Sequence, residues 1–247
     1  MVKTEEELKL MKISGKICAE ALKKVLAAVK IGTSLRKLDR IAEYEIKKSG
    51  ATSSFMTVED YAHTICTTVN EQVVHGIPTE RMLKNGDVLG IDVGALYKGF
   101  HSDMAISKII GNASKEIQRF VEIGRQTLDH AITQARVGNK IGDISAIIQK
   151  EIEGAGYSIV KSLTGHGVGR KLHEEPYIPG FGKRGTGHAI EENMVLAIEV
   201  IYTQGSGEVK LENDGWTITS TDGSIGGLFE KTVAVKKDGP IVLTPYL

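Results

Sequence analysis

Apolar residues recur along residues 1–50 at steps of three and four, the period of helices that bury one face. Thr4 with Glu7 three places on reads as a capping box, and Cys18, Leu22, Val25 and Val29 then fall on one stripe that Gly32 ends. Ser34 caps a second helix, which carries Leu35, Leu38, Ala42 and Ile46 on one face and stops near Gly50. The same arrangement returns later in the chain. Ile117, Val121, Gly124, Leu128 and Ile132 form a helix corresponding to the first; Ile141, Ile144, Ile148 and Ile152 correspond to the second and close at Gly156. Strand-like segments fill 64–106 and 195–235, in blocks that do not alternate singly with helices. This predicts an α+β fold with an antiparallel sheet in preference to a doubly wound parallel one.

The strands repeat too. Val88-Leu89-Gly90-Ile91-Asp92-Val93 reappears as Val195-Leu196-Ala197-Ile198-Glu199-Val200, so Asp92 is answered by Glu199. The step from Leu35 to Ile141 in the helices matches the step from Asp92 to Glu199 within one residue. A repeat this long means a doubled domain, since solenoid repeats are far shorter. The expectation is a single domain, 1–247, built of two related halves (about 1–113 and 114–247) that share one core. A carboxylate flanked by Ile and Val is costly to bury unless a cation or proton compensates it. Finding one in each half points to a metal site between the halves.

Composition narrows the class. The 247 residues are 41% apolar and 25% charged, ordinary for a globular domain. Thirty-one basic residues balance 31 acidic ones, which leaves no basic footprint for nucleic acid. No run is long enough to span a bilayer, and the opening Met1-Val2-Lys3-Thr4-Glu5-Glu6-Glu7 lacks the apolar core of a signal peptide. Cys18 and Cys66 do not make a disulfide framework and read as reduced thiols, which fits the cytoplasm.

The candidate chemistry lies in acids and histidines. A hairpin turning around Lys98-Gly99 brings Asp103 back beside Asp92, and Glu230 sits in a strand-like run after Glu199. Taken alone, any one of these acids has a solvated strand residue as its default reading, and Asp103 reads equally well either way; four in this pattern do not. His166 lies in Gly165-His166-Gly167-Val168-Gly169, where the glycines allow close backbone approach. His75 and His173 each open a His-x-x-Pro sequence, for which a structural histidine is the default reading. His101 can support the Asp103 strand, and His130 reads as a solvated helix residue. No P-loop, His-Glu-x-x-His helix or Gly-x-Ser-x-Gly elbow occurs.

Asp92, Asp103, His166, Glu199 and Glu230, in this order, resemble the five metal ligands of type I methionine aminopeptidases. The surrounding text is similar as well: Asn70-Glu71-x-x-x-His75-Gly76-Ile77-Pro78, Gly99-Phe100-His101-x-Asp103, and Gly165-His166-Gly167-x-Gly169-Arg170-x-x-His173-Glu174-Glu175-Pro176. The resemblance runs through nearly the whole chain. It implies the pita-bread fold, with pseudo-two-fold duplication around an antiparallel sheet and helices on one side. It also implies a metalloprotease of the cytoplasm that removes initiator methionine from nascent polypeptides, by attack of a metal-bridging hydroxide on the first peptide bond. Two divalent ions would be held, with Co, Mn, Fe(II) and Zn left open: one by Asp92, the other by His166 and Glu199, with Asp103 and Glu230 bridging. Glu199 would shuttle the proton, and His75 and His173 would contact substrate and stabilise the intermediate. Tyr61, Cys66 and Trp216 match methionine-pocket or rim positions, while Phe55 and Leu172 read slightly better as core. A monomer with a transient ribosome contact, and no nucleic-acid or membrane partner, completes the expectation.

Several positions depart from the family pattern. Val200 stands where Pro usually follows the Glu199 position, Lys231 where His is common, and Val74 where Cys is frequent. Ala62 replaces a usual Pro, and His63 and Gln72 are unusual in their loop. These put pocket shape, rate and the local backbone at Val200 in question, and remove no ligand. Two other functions are weighed: a prolidase or Pro-aminopeptidase relative, and a non-catalytic binding module that kept the fold.

Overall fold

The computed structural model describes residues 1–246. Helix α1 (Glu5–Ala28) opens on the capping box: Thr4 Oγ1 accepts from the Glu7 N–H at 3.2 Å, and Glu7 Oε2 accepts from the Thr4 N–H at 2.7 Å. Helix α2 (Leu35–Lys48) is capped by Ser34 and buries Leu35, Leu38, Ala42 and Ile46. In the second half α3 (Lys115–Ile132) is capped by Ser114, and α4 (Ile141–Gly154) buries Ile141, Ile144, Ile148 and Ile152. The inner face of α3 is turned from the expected stripe. Ile117 and Val121 are only half-buried, and Phe120 leads instead, because it packs against Tyr157 and Tyr202 with ring centroids 5.0 and 4.4 Å away. Val29 is likewise half-buried, at the C-cap of α1.

The strands are β1 (Thr52–Ser53), β2 (Ile65–Val69), β3 (Gln72–Val74), β4 (Val88–Tyr97), β5 (Phe100–Ile109), β6 (Ser158–Ile159), β7 (Thr164–Gly167) and β8 (Glu174–Pro179). After these come β9 (Val195–Thr203), β10 (Val209–Leu211), β11 (Ile218–Ser220), β12 (Gly226–Lys236) and β13 (Gly239–Val242). The main sheet runs β1-β4-β5-β12-β9-β7-β8, with β2, β6 and β13 joined at its sides, and β10-β11-β3 form a small second sheet. Every strand pairing is antiparallel. Strands β7 and β8 lie outside the predicted blocks, since their glycines and prolines depress local β-propensity. Tertiary approach demands those glycines: a Cβ on Gly165 would lie 2.7 Å from the Ala197 carbonyl oxygen of the neighbouring strand.

The β4–β5 hairpin turns where expected, with Lys98 and Gly99 both left-handed (φ 47° and 83°), the geometry of a two-residue turn matched to strand twist. Alternation along the strands then separates two faces. Ile91, Val93 and Ala95 join α1 and α2 in one core cluster; Ile198, Val200 and Tyr202 join α3 and α4 in another, and Ile106 packs against both. The helices thus cover one face, and the intervening residues, Asp92 and Glu199 among them, project from the other. This is the pita-bread arrangement. Strand β9 passes through Val200 in unbroken register with Phe229, so the backbone there does not deviate.

Gly94 sits on the helix-free face opposite Asp103, and an added Cβ would meet Ser54 Cβ at 2.7 Å and Phe55 Cε1 at 2.9 Å. Gly94→Ala is therefore expected to destabilise the fold by ~1–3 kcal/mol, read from the urea midpoint.

Candidate metal centre

Asp92 lies on β4, Asp103 on β5, Glu230 on β12, Glu199 on β9 and His166 on β7, five strands that follow one another across the sheet. The register sets all five side chains on one face. Asp103 pairs with Gly94, two residues from Asp92, so the two acids are diagonal neighbours; Glu230 faces Glu199 directly; His166 faces Ala197, two residues from Glu199. Ligand atoms of Asp103, His166 and Glu230 lie within 4.8 Å of one another, and His166 Nε2 is 4.0 Å from Glu199 Oε1.

The electrostatics of this cluster require a partner. Asp103 and Glu230 are buried, and Asp92 Oδ1, Asp103 Oδ1 and Glu230 Oε1 are solvent-shielded with no hydrogen-bond partner. Such orphaned acceptors are rare in folded proteins. Burial pushes Asp92 up to about 7. Burial and then carboxylate repulsion hold Asp103, Glu199 and Glu230 well above the ordinary range. Burial lowers His166 to about 4. Its Nδ1 is 2.9 Å from the Gly167 carbonyl oxygen, a bond only an N–H can make, which leaves the Nε2 lone pair aimed toward the acids. Carboxylates with one neutral imidazole suit a divalent first-row metal, so the residues present fit the ion that the sequence implies.

The cluster floors a cavity of about 300 Å³. His75 and His173 line its opening, exposed to it; desolvation lowers both, and His173 adds to the effect on His75. His75 holds a left-handed backbone (φ 57°), an uncommon state for a non-glycine residue, beside a bond from Thr67 N–H to the Gly76 carbonyl at 2.7 Å. The His173 ring stands edge-on to His166, with centroids 4.4 Å apart.

One wall is apolar. Phe55, Tyr61, Cys66 and Leu172 form a buried cluster with Trp216 packed on it, and all five line the cavity, including the two that the sequence reading left to the core. Tyr61 meets Trp216 edge-to-face at 5.0 Å. Carboxylates hold both supporting loops: Asp39 Oδ1 accepts from the Thr64 and Ile65 N–H groups, and Asp214 Oδ1 from those of Trp216 and Thr217.

Val58, Ser162, Leu163, Thr164, Tyr177, Ile201 and Leu228 also line the cavity and escape the sequence reading. A signal existed for three of them. Thr164, Ile201 and Leu228 lie two residues from His166, Glu199 and Glu230, and so share their face. Among the departures from the family pattern, Lys231 points away: its Nζ lies 3.0 Å from Asp129 and 4.2 Å over the Tyr246 ring. His101 does not line the cavity; its Nδ1 lies 3.0 Å from Ser54 Oγ. His63 packs edge-on to Tyr61, and His130 pairs with Glu151 at the surface.

The raised carboxyl pKa values make a signed prediction for metal-free protein. Folded-state values above those of the unfolded chain give stability that is full at low pH and lost as pH rises through them. His75, His101, His166 and His173, all lowered by burial, are neutral in both states above the ordinary imidazole value of 6.5 and drop out there. Metal-free protein should therefore lose thermal stability as pH rises through about 7, where Asp92 titrates. Saturating Mn(II) should flatten that slope in a Tm series.

A model described as metallopeptidase family M24 matches residues 9–237. A methionine aminopeptidase from Clostridium perfringens is 42% identical over 244 residues, 99% of this chain and 98% of that protein. The crystal structure of methionine aminopeptidase from Thermotoga maritima superposes with TM-score 0.97 at 36% identity, covering 99% of this chain and 98% of the other. Prolidase from Pyrococcus furiosus shares the fold alone, at TM-score 0.79 and 23% identity over 99% of this chain and 65% of its own. A match across nearly the full length at this identity establishes kinship: the chain belongs to metallopeptidase family M24, among its methionine aminopeptidases.

Proposed function

We propose that this chain is a metal-dependent aminopeptidase that removes the initiator methionine from newly made proteins. The observation that carries the reading is the row of Asp92, Asp103, Glu230, Glu199 and His166 on one sheet face, with three carboxylate oxygens buried and unpartnered. Asp92, Asp103, His166, Glu199 and Glu230 would together hold a pair of divalent ions, Asp92 on the first-half side and His166 with Glu199 on the second-half side. Mn, Fe(II), Co and Zn all suit these donors. When bound, the metal supplies Lewis acidity and lowers the pKa of coordinated water toward neutrality.

The chain's own residues do the rest. The apolar wall of Phe55, Tyr61, Cys66, Leu172 and Trp216 takes the methionine side chain, burying it beside a polar floor. That orientation sets the first peptide bond over the carboxylates. Glu199, whose carboxylate lies 4.0 Å from His166 Nε2 on the cavity floor, takes a proton and returns it to the leaving amine. His75 and His173, at the opening, hydrogen-bond the substrate backbone and the oxygen that gains charge in the transition state. We read the chain as one catalytic domain of two related halves, 1–113 and 114–247, because each half contributes two of the acids. No helix among the described residues is long and apolar enough to cross a membrane. With nascent chains as substrates, we read the enzyme as cytoplasmic and, by the family resemblance, as a monomer in transient contact with the ribosome.

Purified protein reconstituted with Mn(II), Fe(II) or Co(II) is expected to release methionine from Met-Ala-Ser, and Asp92→Asn to lose at least ~10²-fold in kcat/KM. Protein that binds metal yet leaves Met-Ala-Ser intact refutes the reading. Cleavage of Xaa-Pro peptides in preference to Met-Ala peptides moves it to the prolidase branch. Failure to bind any divalent ion identifies a non-catalytic binding module.

A further inference from the structure

Strands β5 and β12 join the two halves, yet their ladder is short. β4 pairs with β5 continuously from Val88↔Ile109 to Tyr97↔Phe100, and β9 with β12 from Gly226↔Thr203 to Ala234↔Val195. Between β5 and β12 only Glu230↔Ala105 and Lys231↔Met104 stand in register. On either side of that contact the backbone meets a side-chain hydroxyl. Thr232 Oγ1 accepts from the Asp103 N–H at 2.9 Å and donates to the Asp103 carbonyl at 2.7 Å. Ser107 Oγ accepts from the Leu228 N–H at 2.9 Å and donates to the Leu228 carbonyl at 3.0 Å. Thr232 is 0% exposed and Ser107 4%. The Thr232 backbone is itself held from outside, its N–H by Thr244 Oγ1 at 2.9 Å and its carbonyl by the Leu243 N–H at 2.8 Å.

Each hydroxyl satisfies both backbone groups of one residue, groups that the ladder would otherwise have paired or left as buried orphans. Each also inserts a side-chain oxygen between the strands, so they stand farther apart than a direct N–H to carbonyl bond allows. Asp103 is the residue clamped on one side, and Leu228, two positions before Glu230, on the other. We propose that Thr232 and Ser107 are positioning residues that fix the separation of the Asp103 and Glu230 carboxylates, and so the fit of the metal pair between them. This inference rests on the metal reading given above. The two hydroxyls act through backbone geometry and touch neither metal nor substrate.

The test titrates Co(II) and Mn(II) into metal-free wild type, Thr232→Val and Thr232→Ser, reading affinity, the visible absorption of bound Co(II), and Tm. The isosteric Thr232→Val, which removes the hydroxyl, is expected to weaken binding by about 10–100-fold and to change the Co(II) spectrum. Thr232→Ser keeps the hydroxyl and is expected to restore both. Thr232→Val with wild-type affinity and spectrum, whatever its Tm, overturns the proposal. If Thr232→Val does not fold, Ser107→Ala carries the same expectation, and unchanged affinity and spectrum there overturn it equally. Wild-type protein that binds neither ion sinks the metal reading itself, an outcome distinct from normal binding by the variants.

Discussion

Four carboxylates share one face of this sheet, around a cavity whose lining residues include no lysine or arginine. Like charges this close cannot all ionise without compensation. Burial and mutual repulsion drive the carboxyl pKa values upward, so that without a cation protons are the compensation these acids favour. Divalent cations would supply it more fully, because the oxygens of Asp92, Asp103 and Glu230 are left without partners. The neutral His166, with its proton held on the Gly167 carbonyl side, belongs to the same logic: a protonated ring would repel the ion that the acids attract.

A site so costly in local electrostatics stands because the opposite face of the sheet is ordinary. There the strands bury Ile91, Val93, Ile198, Val200 and Tyr202 against four helices, and that hydrophobic burial holds the sheet together beneath the acids. Stability and function are divided by the period of a strand: even and odd positions of β4 and β9 serve different ends. The division also shows why Lys231 is tolerated directly after Glu230. Its charge emerges on the other face, where Asp129 and the Tyr246 ring receive it.

Duplication explains where the site lies. Each half brings a hairpin or strand pair with two acids, and the halves abut along β5 and β12, so the acids meet at the seam. The symmetry is broken where the chemistry needs it. His166 comes from the second half alone, and the apolar wall is assembled from loops of both halves, joined by the edge-to-face contact of Tyr61 and Trp216. Asp39 and Asp214 tie those loops down through backbone N–H groups, giving irregular segments the fixed geometry that a narrow pocket requires.

The sequence by itself determined the helices, the hairpin at Lys98-Gly99, the duplication and the identity of the acids. Those rest on local signals: capping residues, apolar period, left-handed turn positions and a repeated strand. It also carried the family resemblance, because Asp92, Asp103, His166, Glu199 and Glu230 keep a specific order and context. Tertiary structure alone decided which strands stand side by side. Register between β5 and β12, separated by more than a hundred residues of chain, has no local signature, and neither does the hydroxyl bridging of Thr232 and Ser107. Strands β7 and β8 were hidden for the same reason. Their glycines weaken strand propensity in isolation and become necessary only when β9 packs against Gly165. Phe55 and Leu172 read slightly better as core than as pocket, and in the fold they are both, buried in one apolar cluster whose inner side lines the cavity; what faces an apolar side chain is decided only by the folded chain.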